Sequence, residues 1–428
     1  MRRRNLFILM SFFIIGEASI SYAQEEKTDS DRFIVTAQIR TRGEYRNGAL
    51  YPRNEGILPA GFINERARLS LEYERKRLSL KFSAQHVGVW GQDALIDKNG
   101  RFILNEAWAS FDFNDYWFMQ LGRQSLIYDD ERILGGLDWN VAGRYHDALK
   151  IGFKKNGHQF HGIFAFNQND ENVIGGTFYD SSTTKLYKNM QTLWYHYDCA
   201  SVPLNISFLA INLGQEGGDS ETKNSDTKYM QTFGTYIQIT PSEWNISGAF
   251  YYQTGKNLLS KSISAYMASL RASYSLSKTW SVNVGTDYLS GNDEYGGTYK
   301  AFNPLYGTHH KFYGAMDYFY ASDFKNGYNP GLSDTQVGIN YKVSSSVSTS
   351  LNYHYFVTAV KLENLKRTLG SEVDYQLDWK IMKDVSLSLG YSVMFGTSTM
   401  DMVKGGNHKS WQDWGWISLN INPQILCK

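Results

Sequence analysis

The chain has 428 residues with 43 Lys and Arg against 42 Asp and Glu, and this near-neutral balance argues against nucleic acid as a partner. Its two cysteines, Cys199 and Cys427, are too few for a disulfide framework, and we interpret both as unpaired. The aromatic fraction of 15%, with 30 Tyr and 11 Trp, is typical of an outer-membrane barrel with an apolar lipid face and a polar lumen.

The first 23 residues are predicted to be a secretory signal peptide. They begin with three arginines (2–4), continue with a short apolar stretch (6–15) and end in a small-x-small site (21–23). We therefore assign 1–23 to the signal peptide and 24–428 to one mature domain. No later segment has about 20 consecutive apolar residues, so no transmembrane helix is expected.

Long segments of the mature chain alternate polar and apolar residues with a period of two, which predicts strands. In 33–46, Arg40 and Arg42 belong to the polar phase and Ile39 to the apolar phase. Residues 62–75, 345–357 and 383–395 alternate in the same way. Strands of about 10 residues or more suit a tilted bilayer crossing.

Short turns and long polar connections also alternate, an arrangement typical of bacterial outer-membrane barrels with the long loops extracellular. The short turns lie near 114–115, 155–157, 202–203, 241–242, 277–278, 344–345 and 382–384. The long connections are 47–61, 91–101, 126–143, 168–189, 214–227, 254–263, 291–332, 358–369 and 396–409.

A direct count finds 19 candidate strands, whereas single-chain bacterial barrels close with an even number. We place 310–320 inside the loop 291–332, because a strand there would make the turn at 344–345 extracellular. The prediction is an all-β transmembrane antiparallel up-and-down β-barrel of about 18 strands. We expect a monomer in the bacterial outer membrane, surrounded by membrane lipid and inserted by the barrel assembly machinery. The alternative is a soluble secreted β-protein.

Four arginines share the polar phase of the first two predicted strands: Arg40, Arg42, Arg66 and Arg68. A hairpin closed with Arg46 opposite Phe62 places Arg40 opposite Arg68 and Arg42 opposite Arg66. Like charges directly across a ladder are destabilising, so the cluster favours contact with an anion. In the alternative, the register differs by a couple of residues and nearby glutamates neutralise the cluster: Glu44, Glu72 and Glu74.

Acidic residues gather on the lumen phase of 370–380, namely Glu372, Asp374 and Asp378. This segment is three strands from the first around a closed barrel, so a basic wall and an acidic wall together would set up a field across the lumen. Lys81 is expected to meet Glu72 on the neighbouring strand. The full set of predicted solute contacts is Arg40, Arg42, Arg66, Arg68, Lys81, Arg144, Glu372, Asp374 and Asp378.

The connection 126–143 is rich in acids, arginines, glycines and aromatic residues, which favours a packed functional loop over solvent filler. Strict alternation would point Arg123 at lipid, so either Gly122 marks a bulge that turns Arg123 inward or Arg123 lies at the rim. We predict an ion-paired rim network, joined by Arg144, that folds the loop over or into the mouth: Arg123, Asp129, Asp130, Arg132, Asp138 and Trp139. The alternative is ordinary loop solvation.

Neither a metal site nor a catalytic site is predicted, and no cofactor is expected. His309-His310 and Asp293-Glu294 lack the spacing of any metal motif, since two adjacent histidines on a strand cannot face one site. The sequence holds no GxSxG elbow. Asp374 and Asp378 resemble a glycosidase pair only in residue type, and acids on one strand face are more often pore lining.

Several motifs, in this order along the chain, resemble the alginate export family of outer-membrane barrels. They are Gly122-Arg123-Gln124, Tyr128-Asp129-Asp130, Arg132, Gly135, Asp138-Trp139, Gly143-Arg144, Asp147, Tyr252-Gln253-Thr254-Gly255, Ser290-Gly291-Asn292-Asp293, Asn303 to Gly307, Lys311 to Gly314, and Glu372-x-Asp374. The resemblance implies a barrel of 18 strands whose arginine-lined lumen passes a polyanionic uronate polymer outward. Two features depart from it: the lumen phase here mixes charges, and the C-terminal residue is not aromatic.

The sequence therefore favours a channel for an anionic solute, most simply an acidic polysaccharide or oligosaccharide. Three alternatives stay open: a general diffusion porin for small polar solutes, a membrane-embedded hydrolase acting through Asp374, and a closed barrel serving as an adhesin or structural protein. Ion conductance separates the last from the others, and turnover separates the hydrolase.

Overall fold

The computed structural model describes residues 31–92, 102–171, 173–174, 176–181, 186–292 and 297–428, and these form one closed antiparallel barrel. The strands are β1 (Arg32–Asn47), β2 (Ala60–Arg75), β3 (Leu78–Val89), β4 (Phe102–Asp112), β5 (Trp117–Gln124), β6 (His146–Lys155), β7 (His158–Phe166), β8 (Asn189–Asp198), β9 (Leu204–Glu216), β10 (Thr227–Ile239), β11 (Trp244–Lys256), β12 (Ser262–Ser275), β13 (Trp280–Leu289), β14 (Leu332–Lys342), β15 (Val347–Val357), β16 (Thr368–Met382), β17 (Val385–Gly396), β18 (Gln412–Ile421) and β19 (Gln424–Cys427).

The predicted count of 18 crossing strands is confirmed. Each strand pairs with its neighbour in sequence, and β1 closes the ring by pairing with both β2 and β18. The short β19 follows Pro423 and continues the same seam by pairing with residues 34–36 of β1. Because a closed ring has no free edge, every strand satisfies its backbone hydrogen bonds within the membrane.

The two faces of the barrel differ as the alternation predicted. Outward side chains are large, apolar and exposed, as at Phe82, Phe208 and Phe250. Exposed tryptophans lie near the ends of strands beside the short turns, which is where an aromatic belt meets the membrane interface: Trp117, Trp244, Trp280 and Trp379. Inward side chains are polar or charged on many strands. On β7–β9 and β12 they are mainly apolar and belong to one buried cluster with residues of the long connections, as at Ile163, Ile211 and Met267.

Two long connections fold inside the barrel rather than above it. The first inner loop (125–145) joins β5 to β6, and the second inner loop (290–331) joins β13 to β14. They pair with each other through a parallel bridge at Leu134 and Tyr306. The placement of 310–320 in a loop is confirmed, with only a 3₁₀ turn at His309–Lys311.

A short helix, α1 (Ser398–Lys404), fixes the second inner loop from the extracellular side. The Thr397 side chain accepts a hydrogen bond from the Met400 amide and so caps the N-terminus of α1. At its other end, the buried Lys404 ammonium donates to the Ser322 hydroxyl at 2.8 Å and to the Asp323 carbonyl at 2.8 Å. The second inner loop is thus bound to the first inner loop on one side and to α1 on the other.

The predicted signal peptide, 1–23, lies outside the described residues, as does the pair Asp293-Glu294. No helix in the described part of the chain is both long and apolar enough to cross a membrane. Cys199 and Cys427 are both free thiols.

Candidate functional site

The first inner loop places a carboxylate between two arginines of the β1–β2 hairpin. Asp138 Oδ2 lies 2.9 Å from Arg40 Nη1, and Asp138 Oδ1 lies 2.7 Å from Arg66 Nη2. Arg40 also donates to the backbone carbonyls of Asp138 at 2.7 Å and Asn140 at 3.2 Å. Burial alone would raise the pKa of Asp138, but Arg40 and Arg66 outweigh it and hold that pKa below its usual value.

The predicted hairpin register was wrong by two residues. Arg40 lies opposite Arg66, while Arg68 lies opposite Gln38 and Arg42 opposite Asn64. The strands reach further toward the loop than expected, so Arg46 pairs with Ala60 instead of Phe62. Of the four arginines, only Arg40 and Arg66 therefore lie directly opposite each other, and Asp138 lies between their two guanidinium groups.

A second buried carboxylate compensates two further arginines of β1 in part, Arg42 and Arg46. The side chain of Glu44 is 0% exposed and lies 2.9 Å from Arg42 Nε and 2.8 Å from Arg46 Nη2. It also accepts hydrogen bonds from Asn64 at 2.8 Å and Trp414 at 3.1 Å. A nearby glutamate therefore compensates Arg42, as the alternative interpretation of the arginine cluster expected, and it compensates Arg46 as well.

Arg132 binds the first inner loop to the opposite wall of the lumen. Its guanidinium is 0% exposed and lies 2.7 Å from Asp130 and 2.9 Å from Asp287 of β13. The Phe312 ring of the second inner loop covers it at 4.1 Å. Arg271 of β12 forms a further ion pair with Asp287 at 2.5 Å. Two loops and two strands thus meet at one buried charge cluster.

The predicted single rim network is not found, because its members divide among separate contacts. Asp129 accepts from the Trp194 indole at 3.0 Å, and burial raises its pKa. The Arg144 guanidinium donates to carbonyl oxygens of the second inner loop, at Tyr306 and Gly307, and burial lowers its pKa to about 10. Trp139 stacks on His310 at 4.1 Å between ring centroids, with the Arg42 guanidinium 3.9 Å from its ring centroid.

Arg123 lies at the rim but faces away from the lumen. Pairing of β5 with both neighbours runs through Gly122 without a register shift, so the bulge alternative is wrong. Arg123 binds Asp147 of β6 through two hydrogen bonds of 2.8 and 2.9 Å and covers the Tyr145 ring. This outward pair takes Arg123 out of the candidate site.

The acidic wall predicted on β16 faces the lumen, and part of it supports the second inner loop. Glu372, 1% exposed, accepts from the Met316 amide at 2.8 Å. Asp374 lies 3.7 Å from His354 Nε2, and His354 Nδ1 lies 3.0 Å from Asp334. Asp378 accepts from Ser388 at 2.5 Å. These contacts hold the three acids in place on the wall.

The wall from β2 to β6 carries basic side chains that face the lumen below the first inner loop. Lys81 lies 3.3 Å from Glu72, as expected, and 2.9 Å from Glu106. Arg68 donates to Gln85 at 2.8 Å. Lys150, half-buried on the inward phase of β6 opposite Gln120, forms no hydrogen bond or ion pair with the described residues.

Lys150 was missed by the sequence reasoning, although the signal was present. It shares its phase with His146 and Ala148 in a strand that crosses the membrane. Since a lysine near the bilayer midplane is costly on the lipid side, that phase had to face the lumen.

The two adjacent histidines have separate structural roles. His309 Nδ1 bonds the Tyr320 carbonyl at 2.9 Å, and His310 Nδ1 bonds Asp317 at 2.9 Å. Within the described residues no group of three or more His, Cys, Asp and Glu side chains is arranged to hold a metal ion.

The sequence profile described as "Alginate export" matches residues 92–401, which is more than half of the chain. The chain belongs to the alginate export family. No curated protein sequence matches it.

Solved outer-membrane porins share the fold. OccK9 (OpdG) of Pseudomonas aeruginosa has a TM-score of 0.61 at 11% identity, covering 92% of this chain and 98% of that chain. OccAB4 of Acinetobacter baumannii has a TM-score of 0.62 at 12% identity, covering 94% and 99%. OccK2 (OpdF) of Pseudomonas aeruginosa, solved in complex with glucuronate, has a TM-score of 0.60 at 11% identity, covering 92% and 98%. This alginate export family member is therefore a porin-type barrel of the bacterial outer membrane.

Proposed function

We propose that this protein is an outer-membrane channel for anionic solutes and that acidic, uronate-type saccharides suit it best. The observation that carries the proposal is the asymmetry of charge in the lumen. Arg68, Lys81 and Lys150 face the lumen on β2–β6, where Glu72 and Glu106 offset the charge of Lys81. Glu372 and Asp378 face the lumen on β16. A field of this kind draws an anion to one wall and orients polar solutes.

Lys150 is the strongest candidate for direct contact with the solute. Asp138 and Glu44 already compensate Arg40, Arg42 and Arg46 in part, so these arginines contribute less net charge to the lumen than their number suggests. Lys150 forms no ion pair with the described side chains, and it lies on the same wall as Lys81. Membership of the alginate export family and the glucuronate complex of OccK2 are consistent with this choice of solute.

Replacing Lys150 with alanine should weaken block of the ion current by a glucuronate oligomer about fivefold, which corresponds to one lumenal charge contact of about 1 kcal/mol. The measurement is the half-blocking concentration in planar bilayers. Lys155→Ala is the matched control, because Lys155 is on the same strand but packs outward over Tyr116 at 4.3 Å. Equal block by wild type and Lys150→Ala would remove Lys150 from the assignment.

The reversal potential in a salt gradient decides between this proposal and a general diffusion porin. An anion-preferring lumen shifts the potential toward the anion equilibrium value, and the shift shrinks at high salt because mobile ions screen the wall charges. An unselective potential without glucuronate block would favour the diffusion porin, and absence of conductance would favour an adhesin or structural protein. Turnover of a saccharide, abolished by Asp374→Asn, would favour the hydrolase.

A further inference from the structure

The pair Arg40 and Arg66 has the features of a site for a carboxylate. The two guanidinium groups converge from neighbouring strands onto both oxygens of Asp138, at 2.9 and 2.7 Å. The side chain of Arg66 is 0% exposed, and its Nε has no hydrogen-bond partner among the described atoms. The site therefore has more donors than Asp138 uses.

Contacts other than the Asp138 carboxylate hold Arg40 and the first inner loop in place. Arg40 Nη2 is fixed by two backbone carbonyls, those of Asp138 and Asn140. The loop around Asp138 is closed at its base by a hydrogen bond from the Arg144 amide to the Gly136 carbonyl at 2.8 Å. Trp139 stays anchored between Arg42 and His310. The Asp138 side chain can therefore leave while Arg40 and the loop backbone remain in place.

Asp138 is also the part of the site that water reaches. Its side chain is 22% exposed, compared with 10% for Arg40 and 0% for Arg66. An anion that approaches from the lumen meets this carboxylate first and competes with it for the same donors. Charge-assisted bonds to arginine are strong, and a planar carboxylate matches the fork geometry of the guanidinium group.

We propose that Arg40 and Arg66 form a carboxylate-binding site that Asp138 occupies while no solute is bound, and that a solute carboxylate displaces Asp138 during passage. This inference rests on the proposed function and assigns a particular subsite to it. Asp138 then acts as a resident competitor. It compensates the two arginines in the empty channel, and it lowers the affinity for the solute enough that the solute is released.

Asp138→Asn tests the inference, because asparagine keeps the size of the side chain and removes its charge. In planar bilayers, the concentration of glucuronate that blocks half of the current should fall about tenfold relative to wild type, the factor that corresponds to a change of 1.4 kcal/mol. Block by uncharged glucose should stay the same. Adding Arg40→Ala to Asp138→Asn should abolish the gain.

Three controls keep the outcomes distinct. Asp147→Asn removes a carboxylate of the outward rim pair and should leave block at the wild-type value. Asp138→Glu retains the charge and should stay close to wild type. Heat-dependent gel mobility checks that each variant is a folded barrel.

Unchanged glucuronate block in folded Asp138→Asn would overturn the inference, and so would an equal gain for glucose and glucuronate, since that result means only a wider lumen. If wild type resists block while Asp138→Asn is blocked, the site stands and Asp138 shields it. If neither protein is blocked and neither prefers anions, both the site and the proposed function fail.

Discussion

Replacing Asp287 with alanine should destabilise the barrel by about 3–5 kcal/mol, the usual cost of leaving one partner of a buried ion pair uncompensated. Arg132 has no exposure to solvent and would keep Asp130 as its one carboxylate partner among the described residues, and Arg271 would lose its carboxylate as well. Urea unfolding in lipid vesicles, followed by tryptophan fluorescence, measures the change.

The same variant should also admit larger sugars in liposome swelling assays, because the cluster around Asp287 attaches both inner loops to the wall. Asp115→Ala is the matched control. Asp115 pairs with Arg77 at 3.3 Å in an exposed position, where an ion pair contributes little. Wild-type stability and swelling rate in Asp287→Ala would show that the loops are held by other contacts.

Glu44→Ala should have an effect of similar size, about 3–5 kcal/mol, because it leaves two largely buried arginines without their carboxylate. Arg42 and Arg46 retain side-chain exposures of only 7% and 19%. The Trp414 indole and the Asn64 amide lose an acceptor at the same time. Stability is measured as for Asp287.

Glu44→Ala should in addition make the lumen more selective for anions, since two positive charges lose their compensation. Glu74→Ala serves as the comparison within the same hairpin, because Glu74 pairs with the half-exposed Arg32 at 3.6 Å. A variant that is destabilised without a shift in reversal potential would mean that Arg42 and Arg46 do not influence permeating ions.

The barrel could be predicted from the sequence. Period-two alternation is a local rule and the even strand number is a global rule, and neither depends on side-chain contacts. The lumen phase of Arg40, Lys81 and Glu372 follows from the same alternation. The hairpin register could not be obtained, since it depends on how far two strands extend before the loop at 48–59 begins. A shift of two residues preserves the faces and exchanges every cross-strand partner.

The sequence also could not predict which walls of the lumen the first inner loop contacts. Asp138 and Arg132 lie six residues apart, yet they bind opposite walls of the lumen, at β1–β2 and at β12–β13. Proximity in sequence suggested one network, but the loop spans the lumen and gives each charge a partner that is distant in the chain. Arg123 was assigned to that network for the same reason, whereas its cross-strand neighbour Asp147 determines its contact.

The backbone bridge between the two inner loops couples any movement of one loop to the other, and these loops fill part of the lumen. The amide of Gly135 donates to the Tyr306 carbonyl at 2.9 Å, and the amide of Tyr306 donates to the Ile133 carbonyl at 3.0 Å. Neither loop can swing out without breaking bonds that the other one needs. We therefore expect any displacement of the two loops to be cooperative, so that single-channel recordings show abrupt steps between a few current levels instead of a continuous drift.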